Sequence, residues 1–135
     1  MVSGLGTLKY SIMKQALLYA WELPQNLLGL LLRAIYKGND STYESSIVRR
    51  STFFRGGISL GKYIIVSQWA SKNTIKHEYG HCKQSKYLGW LYLVVIGLPS
   101  LIWAWMYGPI VKPTPNGYYK LYTEKLADKL GGVER

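Results

Sequence analysis

The chain is predicted to fold as a mainly helical α+β domain, and three observations carry that expectation. Residues 46–67 are dense in β-branched and aromatic side chains with glycines between them, the texture of a small sheet. The segments before and after are rich in helix formers and apolar residues. The last of these, 118–130, runs into Gly131-Gly132, a helix stop. With 135 residues there is enough chain for one compact domain, 1–135, and too little for two; 48% hydrophobic content excludes disorder.

In chain order, residues 10–36 form an apolar helical segment that Pro24 should break near Leu23, giving two short helices. Lys9 and Lys14 precede a hydrophobic stretch, but the apolar run 16–21 is too short for a signal peptide. No small-residue cleavage pattern follows it, so the segment is expected to stay in the mature protein. Residues 37–41 read as a loop. Residues 46–67 predict a β-hairpin, with room for a third short strand and turns at Gly56, Gly57 and Gly61. Ser71, Asn73 and Thr74 are all suitable N-caps for a helix over 72–87. Next come 25 residues without a charge, 87–111, long enough to cross a bilayer as one helix. Gly97, Pro99 and Ser100 predict instead a bend, making an apolar hairpin whose arms of about 15 Å are too short to span. Pro109, Pro113, Pro115, Asn116 and Gly117 mark a loop, and a last helix covers 118–130. On it Tyr119, Tyr122, Leu126 and Leu130 form a stripe expected to pack on the core.

The chemistry concentrates in His77-Glu78-Tyr79-Gly80-His81, which holds both histidines of the chain in the HExxH spacing. On a helix, residues four apart lie on one face, so His77 and His81 can bind one metal ion together. Glu78 then sits beside the metal, placed to take a proton from a water activated there. The single Cys82 excludes a disulfide framework, and its position, about 100° around the helix from His81, makes it a packing residue. A catalytic zinc needs three protein ligands, so the third is a carboxylate or Cys82. Outside the motif the carboxylates are Glu22, Asp40, Glu44, Glu124, Asp128 and Glu134. Glu124 and Asp128 stand apart because they share one face of the last helix. Taken alone they fit a solvated face beside Lys120, Lys125 and Lys129; the need for a third ligand turns that pair toward the HExxH helix.

HExxH followed downstream by ExxxD resembles the glutamate-zincin (gluzincin) peptidases. The resemblance implies a minimal zincin-like architecture, one Zn²⁺ per chain held by His77, His81 and Glu124, Glu78 as general base, and Asp128 hydrogen-bonded to a ligand histidine. The stretches HEYGHCKQSKYLGWLYLVVIGLPSLIWA and YYKLYTEKLADKLGGV also resemble a bacterial group of HEYGH proteins, versions of which form terminal modules of large toxin-like repeat proteins. That likeness covers about a third of the chain and implies no substrate; residues before His77 add nothing to it. Gluzincins often stabilise the oxyanion with a further downstream histidine, and none remains here. The metal itself, Tyr118, Tyr119, Tyr122 or an arginine would take that part, although each tyrosine is by default a packing residue. The implied reaction is zinc-dependent endopeptidase hydrolysis, with the last strand of the hairpin, 62–67, offering a free edge to an extended peptide substrate or else lying covered.

The net charge of +10, from 17 Lys and Arg against 7 Asp and Glu, points to nucleic acid or an anionic membrane surface. The basic residues are scattered and no nucleic-acid motif accompanies them, so no nucleic-acid partner is expected. Five Trp and 12 Tyr beside long apolar runs favour the membrane surface, which predicts a cell-membrane location, with a soluble cytoplasmic protein as the alternative. A single crossing by 87–111 would put His77 and Glu124 on opposite sides of the bilayer; turning back keeps them together. Site-2-type proteases also use HExxH, but their LDG motif is missing. Two rival functions stand beside the peptidase: a non-enzymatic, basic, membrane-active toxin or immunity-type protein with a structural metal or none, and amide hydrolysis on a non-peptide substrate.

Overall fold

Pro24 divides the N-terminal segment into α1 (Gly4–Trp21) and α2 (Leu23–Ile35), with Pro24 in the first turn of α2, where its missing N–H costs nothing. The computed structural model describes residues 4–135. Among these residues the fold is α+β, 61% helical, with five helices and one four-stranded mixed sheet.

The sheet contains β1 (Asn39–Tyr43), β2 (Ser46–Ser51), β3 (Gly57–Leu60) and β4 (Tyr63–Ser67) in the order β1-β2-β4-β3. Two antiparallel hairpins, β1/β2 and β3/β4, are joined by a parallel pairing of β2 with β4. Two expectations are corrected here. Residues 39–43, expected to lie largely in a loop, are an edge strand in register from Asn39↔Arg50 to Tyr43↔Ser46. An edge strand exposed along its length needs no apolar alternation; here pairing and the ion pairs of Asp40 with Arg33 and Arg49 hold a polar sequence in place. Of the two alternatives for β4, a free edge or a covered strand, the free edge is overturned: β4 is interior and bonded on both sides. Its uninterrupted run Tyr63-Ile64-Ile65-Val66 is fully buried, the pattern of a strand covered on both faces. The free edge near the later helices belongs to β3.

Val48, Ile64 and Val66 of the sheet pack on Ile75 and Cys82 of α3 (Lys72–Leu88). Ser71 caps that helix, accepting the Thr74 N–H at 3.2 Å. Helix α5 (Tyr122–Gly131) lies directly against α3. A Cβ on Gly80 would stand 1.8 Å from the Ala127 carbonyl oxygen, and one on Gly131 1.9 Å from that of Lys76, so the two helices touch backbone to backbone. The tyrosine–leucine stripe therefore does not face the core. The buried face of α5 carries Thr123, Glu124, Ala127 and Asp128, while Tyr122 and Leu126 are exposed. Small residues let the polar face come this close to α3. The helix also starts later than expected, because residues 117–120 form a separate 3₁₀ turn.

The apolar segment 87–111 departs from the predicted hairpin. The chain turns at Gly89 (φ 56°), passes through a π-helical turn at Leu93–Gly97 and continues directly into α4 (Leu98–Met106). Gly97 is helical (φ −61°, ψ −51°), so there is no reversal at residues 97–100. Pro99 occupies the first turn of α4, where helices tolerate it. The reversal comes after α4, at Gly108 (φ 103°), where Tyr107 bridges Val111. Among the described residues, no helix is long and apolar enough to cross a membrane.

Candidate metal centre

Helix α3 presents His77 and His81 one turn apart, their rings edge to face at 4.8 Å. From α5, Glu124 brings one oxygen, Oε2, to 3.0 Å from His77 Nε2 and 2.7 Å from His81 Nε2. All three residues are buried, Glu124 to 1% exposure. The donor atoms lie within 4.8 Å of one another, and this group can hold a metal ion.

Both histidines are fixed from behind. His77 Nδ1 meets Asp128 Oδ1 at 2.7 Å and His81 Nδ1 meets Gln84 Oε1 at 2.6 Å. With a metal ion bound, the proton would sit on each Nδ1, both imidazoles would donate backward and Nε2 would be left to ligate; without one, Nε2 donates to Glu124. These supports are themselves held. Arg135 donates to both Asp128 oxygens at 2.7 and 3.1 Å, and its guanidinium lies 3.3 Å from the centre of the Tyr119 ring. Tyr119 stands edge-on against His77 at 5.1 Å, and Gln84 Nε2 donates to the Thr123 carbonyl at 2.9 Å. Sequence reasoning missed Gln84 and Arg135. Gln84 has the helical i+3 spacing from His81 that would have pointed to it; Arg135 lies past the helix stop and carries no such signal.

The electrostatics follow from burial and proximity. Burial alone would raise the Glu124 carboxyl, but hydrogen bonds from both histidines outweigh it and hold the group at about 2. Burial likewise opposes the charge on His81, yet its bonds to Glu124 and the nearby Glu78 carry it up to about 8. Burial raises the Glu78 carboxyl above its ordinary value against the pull of the two histidines. The Ser59 hydroxyl on β3 sits beside Glu78, near enough to favour its charged form but outside full hydrogen-bond geometry.

His77, Glu78, His81 and Glu124 line one part of a cavity of about 1020 Å³ whose other walls come from α2, β3 and the segment through α4. Tyr118 and Tyr119 also line it, and burial, with the Glu124 charge, pushes the Tyr118 hydroxyl well above the usual phenol range. Tyr122 does not belong with them. Its ring is exposed and its hydroxyl donates to the Val95 carbonyl at 2.9 Å, which removes it as an oxyanion donor. Cys82 is fully buried in the core, where burial drives its thiol up to about 12; it is not among the donors.

Two imidazole nitrogens and a carboxylate oxygen, with both rings held at Nδ1 and a cavity beside them, fit a metal ion. Ligands at 2.0–2.1 Å around a tetrahedral ion stand about 3.3 Å apart. The observed 2.7 and 3.0 Å contacts reach that spacing with a small withdrawal of Glu124. No protein-family model matches this chain, and it shows no significant similarity to curated proteins or to solved structures. The functional reading rests on this geometry and on the motif.

Proposed function

We propose that the protein is a zinc-dependent hydrolase of peptide bonds that works at a membrane surface. One observation carries the reading: two back-anchored histidines and a buried glutamate converge on a single point, with a second buried glutamate beside them at the wall of a large cavity. Two imidazoles and one carboxylate suit zinc, and the same residues in the same order are those the gluzincin resemblance implies. Bound zinc supplies a polarised carbonyl and a water of lowered pKa. Glu78, its carboxyl already raised by burial, accepts the water's proton and passes it to the departing amine. Asp128 and Gln84 keep the two imidazoles in place while charge develops. Tyr118, which lines the cavity close to Glu124, can offer its hydroxyl to the carbonyl oxygen. Strand β3 lines the cavity and has β4 as its one strand neighbour, so an extended peptide can pair along its outer edge beyond the Ser59 carbonyl, which Tyr92 already engages.

The membrane part of the reading draws on the net charge of +10 and on apolar side chains exposed along α1, α2 and the segment through α4. The test is metal analysis together with peptide hydrolysis by Glu78→Gln. About one zinc per chain, retained in the variant while hydrolysis is lost, is the expected outcome. Metal-free protein, or full hydrolysis by Glu78→Gln, overturns the proposal; retained metal without hydrolysis by the unsubstituted chain moves the reading to a structural metal.

A further inference from the structure

The geometry points to an apolar substrate: a membrane-lying peptide segment whose side chains seat between α2 and α4 while its scissile bond lies over His77, His81 and Glu124. This rests on the hydrolase reading above and adds the substrate class, which the metal site alone does not determine.

The cavity is built for it. Its walls away from the metal-binding group are Leu28 and Leu31 on α2, Phe54 before β3, and Leu98, Leu101 and Trp105 on α4. Among the described residues, Arg55 is the one charged side chain lining it outside the histidine–glutamate group, and Arg55 is exposed. Most of this lining is apolar, so an apolar side chain gains by leaving water there, whereas a polar one gives up its water for few partners. At about 1020 Å³ the space is at the top of the roughly 300–1,000 Å³ range of small-molecule pockets, enough for several side chains of a peptide.

Two further features separate a peptide from a hydrocarbon chain. The hydroxyls of Ser59 and Ser100 are buried and line the same cavity; that of Ser100 lacks a hydrogen-bond partner in the protein and that of Ser59 has only a loose contact with Glu78. Buried hydroxyls are rarely left unpaired, and the amides of a bound backbone would satisfy them where an acyl chain would not. The entrance is apolar as well. Leu28, Leu31, Leu98, Leu101 and Trp105 line the cavity and are also exposed, so its rim is continuous with the apolar surfaces of α2 and α4. An apolar segment can pass from a bilayer surface to the metal site between α2 and α4, with Arg55 the one exposed charge lining the cavity among the described residues.

The test uses the full chain carrying Glu78→Gln, loaded with zinc so that bound peptide is not turned over. Two labelled nine-residue peptides are compared, one of leucine and phenylalanine around the central amide and one of serine and glutamine, each also made with a photoreactive leucine. The apolar peptide is expected to bind at least about tenfold more tightly and to cross-link to residues 28–32 and 98–105. Leu31→Asp and Leu101→Asp replace half-exposed side chains, which leaves the fold intact, and should each remove that preference. Leu27→Asp and Ile102→Asp, on the same helices but outside the cavity, should not. Equal affinities, cross-links confined to α1, or displacement of the peptide from the cavity by phosphatidylserine vesicles would each overturn the inference. Hydrolysis of both peptides by the unsubstituted chain without preference sinks this inference alone. Hydrolysis of neither sinks the underlying reading, while the cross-link map still reports on the cavity.

Discussion

Asp128 and Gln84 each occupy the Nδ1 atom of one histidine, at 2.7 and 2.6 Å, and so leave Nε2 as the nitrogen available to a metal ion. Asp128→Ala should therefore weaken zinc affinity by roughly ten- to a hundredfold without removing a ligand, and Gln84→Ala should act in the same direction through His81. Competition with a zinc chelator measures both, and unchanged affinity in either variant would remove that residue from the centre. A second expectation concerns the metal-free protein. His81 has its pKa raised from 6.5 to about 8, so its contribution to stability is complete below about pH 6.5 and is lost as pH rises through 8. Glu124 is lowered from 4.5 to about 2, so its contribution is present above about pH 4.5 and lost as pH falls through 2. In chelator-treated protein these two groups should lower Tm below about pH 4.5 and above about pH 6.5, with the raised Glu78 carboxyl adding a decline above about pH 4.5. Glu124→Gln should flatten the decline around pH 8; a wild-type-like decline there in that variant would contradict the pairing. At this scale the sequence was informative wherever a fixed helical spacing exists. His77, Glu78 and His81, and the pair Glu124 and Asp128, could be named because period and chemistry coincide. Arg135 could not, since its contact with Asp128 depends on how the chain folds back after Gly132.

Between elements, the contact that builds the centre is the close approach of α3 and α5, and Gly80 inside the motif permits it. Its added Cβ would stand 1.8 Å from the Ala127 carbonyl, a backbone atom that cannot swing aside. Gly80→Ala should therefore push the helices apart, costing about 1–3 kcal/mol in urea unfolding and drawing Glu124 away from both histidines. A Gly80→Ala protein with unchanged stability and zinc affinity would show that this contact is not what positions Glu124. The elements were legible where composition and pairing agree: the break at Pro24, the Ser71 cap and the helix over residues 72–88. They were not legible where tertiary contacts override local preference. The polar residues of β1 are held as a strand by β2, which no local pattern signals. Gly97 and Pro99 looked like a bend, yet both are compatible with a helix start, and the reversal waits for Gly108. The tyrosine–leucine stripe of α5 followed apolar periodicity, whereas the face chosen for burial was the one with small and ligating residues.

For the whole molecule, the question is what its apolar surface and its charge do together. None of the residues of α1 is buried, although Leu5, Leu8, Ile12, Met13 and Leu17 lie along it, and its end is tied to the rest by Tyr19 bonded to Tyr63 at 3.0 Å and by Trp21 bonded to the Lys86 carbonyl at 3.0 Å. A helix so anchored at one end, with exposed apolar side chains and Lys9 and Lys14 among them, can rest on a bilayer surface, with the +10 charge drawing the molecule to anionic headgroups. Vesicles containing phosphatidylserine should therefore sediment the protein more strongly than phosphatidylcholine vesicles. Raising the salt should weaken the binding only in part, because the electrostatic share is screened within about 8 Å at 0.15 M ionic strength while the apolar share is not. Leu5→Asp with Ile12→Asp should lower binding to both kinds of vesicle, and should leave unfolding and zinc content unchanged because neither side chain is buried. Binding abolished by salt alone would mean that charge acts without insertion; binding indifferent to the double substitution would place the membrane contact somewhere other than α1.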